Sequence, residues 1–323
     1  VIRMIGRKLL LIALVLPLLH AAGFFYAHSY AQRQISARFG WIVPPKAEPF
    51  GEAYRAYLGR IAEGDLGDVQ RVPMSSFLSR PLERSARLFA VGLGVTILLG
   101  PIIGVLAIAG RTRRIRPSAQ AILSIGSTVP GFFFGTVLIA LLLYLSRAGI
   151  TPGRGTWLPV QGYGTTWHLV LPVLTLALRP VMYVGYLTAG LLEGELQQDY
   201  IRVARSKGWG WNGLLWRHAL PNIVSPVVVA LGQSVRMLAS GLLLVEALFD
   251  WRGVGWLFWQ VLALGDQAFG RSPVFLNEQV LATLLALFGA VLLVADLTAS
   301  AIAHLVDPRL RRAATPTRRP ALT

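Results

Sequence analysis

The chain has 323 residues, 54% of them hydrophobic and only 14% charged, where a soluble domain carries about 25% charged residues. With a mean hydropathy of +0.57, lipid is the expected surrounding medium, and a soluble enzyme is excluded. The formal charge of +16 sits in basic clusters between apolar runs, which points to membrane lipid and not to nucleic acid, and the absence of cysteine excludes disulfides, zinc–thiolate sites and thiol catalysis.

A membrane-crossing helix needs about 20 mainly apolar residues. The first candidate is 9–26, preceded by Arg3, Arg7 and Lys8. No small-residue cleavage site follows closely, so an uncleaved span is expected. Next comes a long extracytoplasmic loop, 28–83. Within it Phe50, Tyr54, Tyr57, Leu58 and Ile61 fall at helical spacing. They predict an amphipathic helix lying on the membrane or on its own domain, ended by the turn Gly64-Asp65-Leu66-Gly67.

The uncharged runs 88–109 and 119–145 are the second and third spans. The fourth, 167–192, is interrupted by Arg179; the fifth, 223–245, by Arg236; the sixth, 279–306, by Asp296. The fold class is therefore an all-α membrane protein of about six spans. Its parts are a first span with its cytoplasmic end (1–27), the outer loop (28–83), a five-helix core (84–306) containing the loop 193–222, and a basic tail (307–323).

Loop charge sets the expected orientation. Arg111, Arg113, Arg114 and Arg116 lie between spans two and three, and Arg202, Arg205, Lys207 and Arg217 between spans four and five. With six spans, these and both termini fall on one side, the cytoplasmic one. The short opposite loops hold only Arg147, Arg154, Arg252 and Arg271.

The loop 193–222 carries the most information. Residues 194–207 suit one helix, and Gly208 and Gly210 break it. Asn212 is placed to cap a second short helix presenting Leu214, Leu215 and Trp216 beside Arg217 and His218, with Pro221 stopping it. Such a helix–turn–helix fits either a docking knob for a soluble partner or an interfacial helix resting on lipid.

At this loop the chain resembles the inner-membrane permease subunits of ABC-type dipeptide and oligopeptide importers. Ala204, Gly208 and Leu220-Pro221 sit at the spacing of that family's cytoplasmic signature, while Arg202, Val203 and His218 depart from its Glu, first Ala and Ile. Asp199-Tyr200-Ile201-Arg202, Lys207-Gly208 and Arg217-His218-Ala219-Leu220 match the peptide subgroup. Further similar elements follow in order along nearly the whole chain: Gly64-Asp65-Leu66-Gly67, Ser127-Thr128-Val129-Pro130-Gly131-Phe132, Trp157-Leu158-Pro159, Val245-Glu246-Ala247-Leu248-Phe249 and Asp307-Pro308-Arg309. The long outer loop resembles the B-type subunit of the permease pair.

The resemblance implies a type I importer permease fold and a chain without enzymatic activity or a cofactor of its own. ATP and Mg would be used by two cytoplasmic ATPase subunits. A C-type permease homologue would complete the pore, and an extracytoplasmic substrate-binding protein would deliver the solute. The coupling helix maps onto about 212–220, with Ala204, Gly208, Asn212, Leu214, Leu215, Arg217, His218, Leu220 and Pro221 as its candidate residues. In agreement, the chain contains no Gly-x-x-x-x-Gly-Lys-Ser/Thr motif and no metal-ligand spacing.

Charges inside spans are expensive and default to function. Arg179, beside Pro180, either lines the pore and attracts a peptide carboxylate or pairs with Asp296. Gln233 and Arg236 either line the pore or make intersubunit contacts. Asp296, Ser300 and His304 share one helix face, suited to helix–helix contact. Glu246 is a candidate for gating or for contact with the binding protein. An ion-coupled secondary transporter using Asp296 or Glu246, or a non-transporting scaffold, are the competing readings.

Overall fold

The computed structural model describes residues 2–38, 48–69, 71–110, 112–151, 155–262 and 277–306. Arg111, Arg154, Arg271 and the tail 307–323 lie outside them. Helices dominate because lipid leaves backbone polar groups no partners outside their own segment. In chain order they are α1 (Ile2–Arg38), α2 (Phe50–Ala62), α3 (Met74–Ala107), α4 (Pro117–Thr128), α5 (Gly131–Arg147), α6 (Val170–Leu196), α7 (Asp199–Ser206), α8 (Trp211–Gly213), α9 (Leu220–Leu248), α10 (Val254–Val261) and α11 (Glu278–Val306). A two-stranded antiparallel ribbon, β1 (Asp68–Val69) with β2 (Val72–Pro73), precedes α3.

Among the described residues, five helical stretches are long and apolar enough to cross a membrane, or six if α4 and α5 are counted as one broken span. The expected third span, 119–145, is not one straight helix: α4 and α5 meet at 104°. The cause is Pro130, which has no N–H and holds Val129 in an extended conformation, φ −64° and ψ 127°. The helices also overrun the outer loop drawn at 28–83, since α1 continues to Arg38 and α3 begins at Met74.

Apolar burial cannot hold helices together in lipid, so close packing must. On α3 the buried residues Gly92, Thr96, Gly100 and Gly104 recur every fourth position and form a smooth stripe against α6. A Cβ on Gly104 would lie 2.7 Å from the Gly185 carbonyl oxygen, and one on Gly100 2.8 Å from Val184. Gly23 does the same for α1 on α11, with Ala282 Cα 2.9 Å from where its Cβ would be. Large apolar side chains such as Leu10, Leu14 and Leu98 instead stay exposed, 68%, 64% and 64%, as a lipid-facing surface requires.

The amphipathic helix expected at 50–61 forms as α2, and it lies on its own domain. Tyr57 is fully buried, stacked 5.4 Å from Phe24 of α1, and Phe50 and Tyr54 also meet Phe24. The Gly64–Gly67 turn forms as well, with Gly67 N–H donating to Asp65 Oδ1 at 2.8 Å. Together α1, α2 and α11 make one flank; α3, α6 and α9 form the centre.

Candidate functional site

Three regions combine unusual polar groups with irregular backbone: the loop 193–222, the break between α4 and α5, and the end of α9.

The loop departs from expectation in instructive ways. Residues 194–207 are not one helix: α6 stops at Leu196 and α7 starts afresh at Asp199. Gly208 ends α7 at φ +87°, a left-handed conformation that costs glycine nothing. Asn212 does not cap α8; Gly210 holds that position and Asn212 lies exposed inside the first turn. Nor does Pro221 stop the helix. A π turn, Leu214–Ala219, runs straight into α9, and Pro221 sits in its first turn. Because Pro221 offers no N–H to the preceding turn, a local π widening is the natural accommodation.

Leu214 and Leu215 also turn out otherwise than expected. Both are buried, 0% and 4% exposed, packed with Ala204, Ile201, Leu192, Leu196 and Ile223 in the protein's own core. They anchor the loop and are not part of its exposed surface. The outward face carries Asn212, Trp216 and Arg217, with Trp216 69% exposed. Trp209 backs it, with the Arg217 guanidinium 5.4 Å from its ring and His218 edge-on at 5.3 Å. Leu220 is half-buried and Pro221 exposed.

A polar clamp fixes the loop's base. The Tyr200 hydroxyl donates to the Glu195 carboxylate, and Asn222 Nδ2 donates to both, at 2.8 Å each. Burial and the neighbouring Glu195 push the Tyr200 hydroxyl up to about 12, so it remains a donor at any physiological pH. The ends of α6 and α9 are thereby tied to α7.

At the α4–α5 break a cavity of about 170 Å³ is lined by Pro130, Gly131, Phe132, Thr175, Arg179 and Ser240, among others. Arg179 does not pair with Asp296. Its Nε donates to the Ser127 carbonyl at 3.2 Å. Asp296 is instead held by Lys8 of α1 and by Arg236 of α9, the latter at 2.5 Å, and Lys8 also reaches Ser300. Asp296 and Ser300 of α11 thus both meet α1, and Asp296 meets α9 as well. Gln233 accepts a hydrogen bond from the Tyr183 hydroxyl of α6. Both Gln233 and Arg236 are engaged between helices of this chain.

At the end of α9, Glu246 is fully buried, so of its two candidate roles, gating or contact with the binding protein, direct contact is not available to it. It accepts from Ser85 Oγ at 2.5 Å and from Gly255 N–H at 2.6 Å, while Ser85 Oγ accepts from Val254 N–H at 2.8 Å. Close above lies a second cavity, about 370 Å³, lined by Arg80, Glu83, Arg84, Arg87, Tyr163, Gly164, Thr165 and Trp251. Tyr163 holds two guanidiniums near its ring, Arg84 at 4.1 Å and Arg252 at 4.8 Å. Sequence reasoning missed this cluster, although Arg80, Arg84 and Arg87 recur at helical spacing. It also missed Ser85 and Thr175, which no local pattern marks.

These features match a known family. Residues 97–312 match the binding-protein-dependent transport system inner membrane component family, and the chain belongs to it. It is a multi-pass inner-membrane transport subunit and not an enzyme. Among similar proteins are the oligopeptide transport system permease protein AppB of Bacillus subtilis, 29% identical over 80% of this chain and 79% of that protein, and a probable peptide ABC transporter permease of Sinorhizobium fredii, 31% identical over 74% and 73%. The dipeptide transport system permease protein DppB of Bacillus subtilis is 28% identical over 82% and 80%.

Proposed function

We propose that this chain is the permease subunit of an ATP-driven peptide importer, forming half of the translocation pore with a C-type homologue. Two cytoplasmic ATPase subunits, which bind ATP and Mg, engage its 193–222 loop, and an extracytoplasmic binding protein delivers the solute. Both termini and the loop lie in the cytoplasm, in line with the clustered arginines there. The names of its relatives support peptides as the cargo.

The observation that carries the coupling role is the loop's polarity. Leu214 and Leu215 lock it onto the span ends, while Trp216, Arg217 and Asn212 face outward. An exposed tryptophan and arginine on a rigid base are the residue types that anchor protein–protein contacts. A partner gripping this face would move α6 and α9 as one, through the Tyr200–Glu195–Asn222 clamp.

The test is co-purification from membranes with a tagged chain. ATPase subunits and a second permease should be retained. Replacing both Trp216 and Arg217 by Ala should release the ATPases without affecting insertion. Undiminished uptake after inactivation of the ATPase nucleotide site would overturn the proposal.

A further inference from the structure

Resting on the importer reading above, we infer that the cavity at the α4–α5 break is a subsite for the carboxylate of the transported solute. Four observations converge there.

The first is an uncompensated charge. Among the described residues, Arg179 has a carbonyl partner, Ser127, and no carboxylate. Two other cations within the spans, Lys8 and Arg236, are both matched by Asp296. A guanidinium inside a membrane helix is costly, and its fork geometry suits a carboxylate.

The second is a helix N-terminus. The 17-residue α5 begins at the break, and Gly131 and Phe132 line the cavity. Phe133 and Phe134 N–H both go to the Pro130 carbonyl, and no side chain caps the end. The amides of Gly131 and Phe132 are therefore the open donors, at the positive end of the helix dipole. A broken helix directing its N-terminus at an anion is a device membrane transport proteins use for carboxylates.

The third is an orphaned hydroxyl. Thr175 is 0% exposed, lines the same cavity, and its Oγ1 has no hydrogen-bond partner among the described residues. A buried hydroxyl left unpaired is costly, and a bound oxyanion would satisfy it. The fourth is the fit. At about 170 Å³ the cavity is the size of a small group and not of a whole peptide, so it would take a terminus and leave the side chains outside. Arg179 and the α5 N-terminus thus line one small space that has no acidic lining residue, with the Thr175 hydroxyl buried in its wall.

The experiment compares uptake of a tripeptide with that of its C-terminal amide by the complete importer in proteoliposomes, with the binding protein's affinity for each measured separately and divided out. The wild type should favour the free acid about tenfold. Arg179→Gln should bring the corrected ratio close to one, chiefly by slowing the acid, and Arg179→Lys should keep part of the preference. Thr175→Val should lower the ratio about threefold, and it decides the matter if Arg179→Gln fails to assemble. A corrected ratio near one in the wild type, or a ratio untouched by these variants while both peptides slow equally, would overturn the subsite. If neither peptide entered through the wild-type complex, the peptide-importer reading itself would fall, and the subsite with it.

Discussion

Ser85 of α3 and Glu246 of α9 meet in a fully buried hydrogen bond of 2.5 Å, although 161 positions separate them in the chain. Through Val254 and Gly255 the same pair also fixes the start of α10. One carboxylate therefore ties together three helices at the end opposite the 193–222 loop. Glu246→Ala leaves the Ser85 and Gly255 donors without acceptors, a cost on the order of 1–3 kcal/mol. Thermal unfolding in detergent should show it, with Glu246→Gln losing less because one amide oxygen remains.

Asp296 bridges α1 and α9 through Lys8 and Arg236. Asp296→Leu should destabilise the protein strongly, since two cations lose their counter-charge at once. A double-mutant cycle with Lys8→Leu should give a coupling energy above about 0.5 kcal/mol, the level that marks directly interacting groups. Additive effects would place the two residues out of contact.

The glycine stripe on α3 makes a sharper prediction because α3 contains its own control. Gly104→Ala would drive a methyl group against the Gly185 carbonyl and Thr188, an overpacking cost of about 1–3 kcal/mol. On the same helix, a Cβ added to Gly94 would meet nothing within 4 Å, so Gly94→Ala should be neutral or stabilise by roughly 0.5–1 kcal/mol. Melting temperatures of the two variants should move in opposite directions or differ plainly in size.

The loop's polarity separates stability from coupling. Leu214→Ala opens a hole in the core under the loop and should cost about 2–5 kcal/mol. Trp216→Ala removes an exposed ring and should alter stability by no more than about 0.5 kcal/mol, while reducing ATPase retention and uptake. The reverse ranking would place the docking face elsewhere on the loop.

Gly208 tests the turn itself. Its φ of +87° and open surroundings mean that a side chain meets strain and no clash. Gly208→Val should disfavour the turn by about 1–2 kcal/mol, whereas Gly208→Asn should be tolerated. ATP hydrolysis and uptake, measured together, should come apart in the valine variant and stay linked in the asparagine one.

Much of this was legible along the chain. Apolar runs marked the spans, and the spacing of Ala204, Gly208 and Leu220-Pro221 marked the loop. Gly64 and Gly67 marked their turn, because φ > 0 demands residues a reader can see. The facing of side chains was not legible. Leu214, Leu215 and Trp216 are consecutive and all apolar, and which of them points outward depends on the π turn that widens this stretch before Pro221. Arg179 and Asp296 were equally open as partners until the positions of α1 and α9 gave Asp296 to Lys8 and Arg236.

By itself, then, the amino-acid sequence determined the solvent, the helical class and the family, because hydropathy and motif spacing are local properties that survive without coordinates. Only the tertiary structure decided what the charges do. Lipid leaves a charged group few partners, and the one it finds is set by helix packing between distant positions, 60 apart for Arg236 and Asp296 and 288 for Lys8 and Asp296. That packing buried Glu246 on Ser85, matched Asp296 with two cations, and left Arg179 beside the open end of α5 with Thr175 for company.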